Sequence, residues 1–174
     1  MRIEKLRETF DIELKLVHFP LHPDTPAEGR SIADLYAGRG MDPEEMYRSM
    51  KERMDAEGLP YGKRTHTYNS RLAQELGKWA ETVPGGEALH DPLYRAYFVE
   101  CRNIVEKAGL PVDQARAVIE QRSFSEAVDA DWALSRQYGV TGVPTFVAER
   151  QGVVGAQPYE VLEQLMDAVG ATRR

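Results

Sequence analysis

Gly139–Val147 reads GVTGVPTFV and joins a helical segment to a β-branched segment through a single proline. Gly139 can adopt the left-handed conformation that ends a helix, and Gly142 supplies a second flexible joint. The residues after Pro144 favour extended structure because they are β-branched or aromatic. Since proline cannot donate a ladder hydrogen bond, Pro144 is expected at the very start of a strand.

The peptide bond before Pro144 leaves two interpretations open. A trans bond describes an ordinary turn between a helix and a strand. A cis bond would instead expose Val143 at an open strand edge, and such an edge can dock an extended peptide.

Three other segments resemble parts of one family of proteins. Val17–Gly29, VHFPLHPDTPAEG, resembles a strand and the loop after it, and Gly152–Pro158, GVVGAQP, resembles a closing strand and the loop into a last helix. Leu93–Phe98, LYRAYF, resembles a helical insertion. The segment Gly139–Val147, called the proline loop below, looks like the active-site loop of thioredoxin-fold proteins. Together with it, the three segments resemble the DsbA-like oxidoreductases of the FrnE type over nearly the whole chain.

The resemblance implies an α/β, thioredoxin-like fold with a helical insertion, in which the first strand of that fold has no counterpart. Residues 1–30 and 111–174 would form the thioredoxin-like core, and residues 31–110 an all-helical insertion. The implied activity is that of a DsbA-like thiol-disulfide oxidoreductase acting on a peptide or protein thiol or disulfide. The implied substrate-binding residues are Thr141, Gly142, Val143 and Pro144. With this resemblance, the Val143–Pro144 bond is expected to be cis.

One departure from the family concerns the chemistry itself. The family's CxxC motif at the end of the first strand has no counterpart, since Arg2–Arg7 already reads as the helix after it. A redox dithiol needs two sulfurs, because one thiolate attacks a disulfide and a second cysteine resolves the mixed disulfide. The sequence holds one cysteine, Cys101, so the catalytic residues are unknown and these 174 residues are expected to be inactive.

Two alternatives to a dithiol enzyme stay open. One is a redox-inactive thioredoxin-like module that keeps the peptide-docking loop without catalysis. The other is a relative of the kappa-class glutathione transferases and 2-hydroxychromene-2-carboxylate isomerases, which share the fold and carry a serine in place of the first cysteine. Only that relationship would bring in a cofactor, glutathione. A second departure from the family, after Asn103, reads either as a contraction of the chain or as a stretch left out of the sequence.

Composition predicts a single soluble domain in the cytoplasm. The chain has 174 residues, of which 42% are hydrophobic, and this is enough for one core. The net charge of −6 argues against a nucleic-acid partner, which would require clustered Lys and Arg. No run approaches the roughly 20 apolar residues needed to cross a bilayer, and no signal peptide is recognisable.

Local signals predict a strand near the start of the chain, then a block of helices, then a hairpin and a last helix. A two-residue alternation predicts the first strand from Ile12 to Phe19. Caps, prolines and glycines delimit the other elements. These are helices from Pro43 towards Gly58, from Asn69 to about Val83, through Leu89 to Tyr97, from Pro111, and from Ser123 to Tyr138, strands at Thr145–Ala148 and Val153–Gly155, and a helix from Pro158.

The methionines at every fourth position of the first long helix, Met46, Met50 and Met54, are interpreted as core packing. On an exposed groove they would adapt to varied apolar partners instead. Cys101, although it precedes Arg102, is interpreted as a small buried hydrophobic residue rather than a reactive thiol.

Two further expectations concern partners. His18 and His22 are four residues apart, but Pro20 rules out a shared helical face, so no metal site is expected. A sheet that lacks its first strand would expose an edge beside Ile12–Phe19, and a homodimer or a partner strand is expected to cover it.

Overall fold

A computed structural model of the protein describes residues 2–37, 40–100 and 112–174. The chain packs into two compact units. The core unit comprises Met1–Leu21 and Ala130–Arg174, and the helical unit comprises His22–Asp129. The helical unit is wider at both ends than the range 31–110. The assignment of that range to an insertion stays a prediction.

Helices account for most of the regular secondary structure that is described in both units. Along the chain, the elements are α1 (Arg2–Thr9), β1 (Arg30–Ser31), α2 (Ile32–Tyr36), α3 (Pro43–Ala56), β2 (His66–Thr67), α4 (Arg71–Ala80), a 3-10 turn (Gly86–Leu89), α5 (His90–Phe98), α6 (Val112–Gln121), α7 (Ser125–Gln137), β3 (Thr145–Ala148), β4 (Gln151–Val154) and α8 (Tyr159–Ala168). The boundary between the two units falls within α7.

The core unit is built on the hairpin of β3 and β4, with α1 and α8 against one of its faces. Phe146, Ala148 and Val153 point to that face and pack on a buried cluster. The buried members of the cluster are Leu6, Phe10, Leu162, Leu165 and Met166. Because β-strand side chains alternate between faces, the neighbours of these three residues point away from the helices.

The hairpin agrees with the prediction except for its turn, for which the sequence pattern indicates Arg150, Gln151 and Gly152. Thr145 lies opposite Val154, and Ala148 lies opposite Gln151. The turn therefore consists of Glu149 and Arg150, and β4 begins earlier than predicted. Glu149 takes a left-handed φ of 52°, a conformation that its residue type does not indicate.

The strand predicted from Ile12 to Phe19 is wrong. All of these residues are described, and none of them belongs to a strand. Ile12 packs against the core cluster, whereas Leu14 and Leu16 are 43% and 45% exposed. Alternating apolar residues form a strand only where a neighbouring backbone completes the ladder, and no strand of the described residues pairs with this segment.

Helix starts were predicted well from local signals. α3 begins at Pro43, and the Asp42 carboxylate accepts a hydrogen bond from the Glu44 N–H at 2.9 Å. α4 begins at Arg71, so its N-cap residue is Ser70 rather than the predicted Asn69, although the Arg71 N–H does donate to the Asn69 side-chain oxygen at 2.9 Å. A cap satisfies orphan backbone donors within a few residues, so a short stretch of sequence is enough to indicate it.

The helical unit is not all-helical, contrary to the prediction. β1 pairs antiparallel with β2, with Arg30 opposite Thr67 and Ser31 opposite His66. Gly29 enters this ladder with φ of 91° and lies so close to Tyr68 that a Cβ would not fit. Strands of this length carry no periodic signal, so the sequence pattern did not reveal them.

The methionine stripe of α3 is not part of the core, so its interpretation as core packing is wrong. None of the residues of α3, all of them described, is buried, and Met50 is 42% exposed. The buried cluster of the helical unit lies instead among α4, the 3-10 turn and α6. Its members are Leu76, Trp79, Ala80, Leu89, Ala115 and Val118. Spacing shows which residues share a helix face, but only the neighbouring elements decide whether that face is covered.

Some predictions lie outside the described residues, namely the role of Cys101 and the contraction after Asn103. Over the part of the chain that the structure describes, no helix combines the length and apolar character needed to cross a membrane. A cytoplasmic location stays a prediction.

Candidate functional site

The candidate site begins at the carboxyl end of α7, in the core unit. Gly139 has φ of 66°, and its N–H donates to the Arg136 carbonyl at 3.0 Å. The Val140 N–H donates to the Ser135 carbonyl at 2.9 Å. This pair of bonds is the Schellman arrangement, which satisfies the last carbonyls of a helix and needs a left-handed residue. Gly139 therefore ends the helix as its sequence position predicted.

The four predicted substrate-binding residues follow as one exposed loop. Thr141, Val143 and Pro144 are exposed, Gly142 is half-buried, and the Val143–Pro144 bond is cis. The Val143 side chain is 52% exposed. The Thr145 hydroxyl donates to the Gly142 carbonyl at 2.7 Å and closes the loop on itself. An apolar side chain is thereby presented to solvent on a defined turn.

The strand end of the loop is held by residues after β4, which the sequence pattern did not assign to the site. The Gly155 N–H donates to the Pro144 carbonyl at 2.7 Å, and Gly155 has φ of 90°. The Gln157 side-chain amide donates to the Val154 carbonyl at 2.8 Å. A glycine directly after a β-branched strand was the available signal, since it marks a backbone position that other residues rarely adopt.

β3 keeps one edge unpaired by any other strand of the described residues. In an antiparallel pair closed by a two-residue turn, the residues that flank the turn exchange hydrogen bonds, and every second residue does the same. Ala148, Phe146 and Pro144 therefore direct their backbone groups towards β4, in agreement with the bond from Gly155. The N–H and C=O groups of Thr145 and Val147 point to the opposite edge.

The loop carries apolar and hydroxyl side chains but no ionisable one. Between Val140 and Ala148 there is no carboxylate, amine, imidazole or thiol. Elsewhere in the described ranges, no cluster of three or more His, Cys, Asp or Glu side chains could hold a metal ion. What the loop offers is an exposed valine, two hydroxyl groups and a turn of fixed shape, which suits contact with an extended peptide.

Comparisons with known proteins identify the family. The DSBA-like thioredoxin domain matches residues 1–167. The chain belongs to this family. The solved structures that it resembles include a probable DsbA oxidoreductase from Streptomyces coelicolor, with 31% sequence identity and a TM-score of 0.84. That match covers 97% of this chain and 82% of the other chain. No curated protein matches the sequence.

Family membership confirms the predicted fold class. The protein has an α/β, DsbA-like thioredoxin fold with a helical insertion. It belongs to a family of thiol-disulfide oxidoreductases. The core unit carries the proline loop of this DsbA-like protein at the start of β3.

Proposed function

We propose that this DsbA-like protein is of the FrnE type and that its proline loop docks peptide or protein thiols and disulfides. The observation that carries the proposal is the exposed turn Thr141–Pro144, which presents Val143 at the beginning of β3. The family and the oxidoreductase from Streptomyces coelicolor support the same class of substrate.

The chemistry of the loop suits substrates of varied sequence. Its residues are uncharged, so the loop does not select peptides by their charge. Val143 supplies apolar contact, and backbone groups beside it supply hydrogen bonds that any peptide can complete. A protein that handles many disulfides needs this tolerance, because its substrates share a sulfur but not a side-chain pattern.

Dithiol exchange also needs a pair of sulfurs. A thiolate attacks one sulfur of the substrate disulfide and expels the other as a thiolate, and a second cysteine then displaces the substrate from the mixed disulfide. The 174 residues contain a single cysteine. We therefore propose that these residues bind substrate without turnover, and that catalysis needs a CxxC-bearing strand beyond them.

Peptide binding tests the docking step directly. A fluorescent peptide that contains a disulfide is titrated with the protein, and the anisotropy is recorded. Val143→Asp should weaken binding about tenfold, which corresponds to about 1.4 kcal/mol, because it places a carboxylate where apolar contact is needed. Val154→Asp is the matched control, since Val154 is also exposed but lies on β4. Equal weakening by both variants, or by neither, would contradict the role of the loop.

An insulin-reduction assay tests the redox step. The 174-residue chain should give no turnover, and Cys101→Ser should behave in the same way. A variant with a CxxC-bearing strand fused ahead of Met1 should gain turnover if the protein is an oxidoreductase. A fusion that binds peptide but stays inactive would favour the redox-inactive binding module. Turnover of the unfused chain that disappears in Cys101→Ser would instead indicate a one-cysteine mechanism with glutathione as the resolving thiol.

A further inference from the structure

We propose that Met46, Met50 and Met54 on α3 form a binding site for Cu(I), in which thioether sulfurs from successive turns of the helix hold the ion. The site belongs to the helical unit. The proposal does not depend on the proline loop or on any redox function of the protein.

The methionines of this chain are concentrated in one place. Four of the six lie between Met41 and Met54, and three of these repeat at every fourth position of α3. A repeat of this kind normally marks a helix face that packs into a core. None of the residues of α3 is buried, so core packing does not account for the repeat.

Helix geometry brings neighbouring thioethers of the stripe together. Residues four apart lie one above the other on the same face, with Cβ atoms about 5–6 Å apart. The methionine side chain is unbranched and flexible, so two sulfurs at this spacing can turn towards a common ion. Met46 and Met54 are separated by about 12 Å along the axis, at a rise of about 1.5 Å per residue, which is too far for both to hold one ion. Met50 is therefore the ligand that both neighbouring pairs share.

The exposure of the stripe suits the capture of an ion from solvent. Met50 is 42% exposed, whereas Met46 and Met54 are half-buried. An ion can thus reach the central sulfur directly, and the flanking side chains then shield it from water.

Charge on α3 does not oppose a cation. Pro43–Ala56 carries four acidic and three basic side chains, so its formal charge is −1. Lys51, which follows the central methionine, pairs with Asp55 at 2.7 Å. Lys63, from outside the helix, pairs with Glu44 at 2.7 Å. Carboxylates therefore compensate both of these lysines, and a monovalent cation is not repelled by them.

The type of ligand selects the ion. A thioether sulfur is soft and uncharged, and soft sulfur ligands favour Cu(I). Zn²⁺ is bound by thiolate, imidazole or carboxylate, and Ca²⁺ and Mg²⁺ require oxygen. Among the residues that the structure describes, no group of three or more His, Cys, Asp or Glu side chains could hold such an ion. Cu(I) accepts as few as two soft ligands, so a pair of methionines is sufficient.

Competition with the Cu(I) chelator bicinchoninate, under anaerobic conditions, tests the proposal. All proteins carry Cys101→Ser, because a thiolate also binds metal ions, and circular dichroism establishes that each is folded. The parent should bind one Cu(I) per chain. Met50→Leu nearly conserves side-chain volume and should raise the dissociation constant for Cu(I) at least about tenfold. Met166→Leu is the matched control, since Met166 is buried in the core unit, and it should leave the dissociation constant unchanged.

Methyl NMR of the unsubstituted chain identifies the ligands without the need to replace Cys101. With isotope-labelled methionine methyl groups and two equivalents of Ag(I) as a redox-stable substitute for Cu(I), the resonances of Met46, Met50 and Met54 should shift and that of Met166 should not. Zn²⁺ should shift none of them. Absence of saturable Cu(I) binding, an unchanged dissociation constant in folded Met50→Leu, or Ag(I) shifts confined to other methionines would each overturn the proposal. No peptide is present in either measurement, so the outcome is independent of the proline loop.

Discussion

At the scale of single residues, the two glycines of the proline loop differ in whether the fold requires a glycine at their position. Gly139 has φ of 66° and ends α7. Gly142 has no such backbone angle, and apart from its two chain neighbours no other residue has a heavy atom within 4 Å of the position that a Cβ would take. Neither the backbone conformation nor the space around position 142 therefore requires a glycine. The flexible joint expected there is not required by the folded structure.

Substituting alanine for each glycine in turn tests this difference. Gly139→Ala should lower the free energy of unfolding by about 1–2 kcal/mol, because an L side chain is strained in the left-handed region. Gly142→Ala should be neutral or slightly stabilising, since the unfolded chain loses freedom and the folded chain gains no clash. Urea denaturation followed by circular dichroism measures both. Equal losses would mean that the loop requires a glycine at position 142 for a reason other than space or backbone angle.

At the scale of elements, a buried carboxylate joins α4 to the turn between α6 and α7. Glu75 on α4 is fully buried, and it accepts hydrogen bonds from Arg122 at 2.7 and 2.9 Å and from Arg71 at 3.0 Å. Arg122 takes a left-handed φ of 52° in that turn. Arg71 also donates to the Ser125 carbonyl at 2.8 Å and pairs with Asp129. The network thus fixes the start of α7.

The same network makes stability depend on pH. Hydrogen bonds from Arg122, and then from Arg71, lower the pKa of Glu75. A depressed folded pKa stabilises the protein fully above the unfolded pKa of about 4.3, and this contribution is lost as the pH falls through the lower folded value. Unfolding free energy should therefore decrease on acidification below that point.

Glu75→Gln tests this account. At neutral pH it should lower the free energy of unfolding by about 2–4 kcal/mol, somewhat less than for a fully buried pair, because Arg122 is 49% exposed. It should also flatten the acid part of the stability profile. Glu81→Gln is the control and should change little, because the Glu81 carboxylate that pairs with Lys78 is 38% exposed. Denaturation at a series of pH values measures both effects. An unchanged acid slope in Glu75→Gln would assign the pH dependence to other carboxylates.

At the scale of the whole molecule, the described residues form two buried clusters that share no residue. One lies in the helical unit and includes Leu89, and the other lies in the core unit and includes Leu162. Each leucine is 1% exposed. The stability of each unit therefore rests on its own set of apolar contacts.

Cavity-forming substitutions in the two clusters should have local signatures. Leu89→Ala and Leu162→Ala should each cost about 2–5 kcal/mol. In hydrogen-exchange mass spectrometry, Leu89→Ala should raise exchange in α4 and α6, and Leu162→Ala should raise exchange in α1, α8 and the hairpin. If Leu162→Ala raised exchange in α4 and left α1 unchanged, the division into two clusters would not describe the stability of the protein.

The sequence by itself determined the features that depend on a few neighbouring residues. The cap by Asp42, the helix end at Gly139 and the strand after Pro144 all follow from backbone angles and hydrogen bonds within one turn of chain. The DsbA-like family was likewise indicated by short segments of sequence, the proline loop among them. The count of one cysteine is equally a property of sequence, and it limits the chemistry open to these 174 residues.

Tertiary structure alone decided which apolar residues are covered and which strands find a partner. The alternation at Ile12–Phe19 and the methionine stripe of α3 were regular patterns, yet the first forms no strand and the second is not buried. The same holds for the site, where Gly155 meets Pro144 only because β4 folds back on β3. Burial and ladder hydrogen bonds depend on groups that are distant in the chain, so no local pattern contains them.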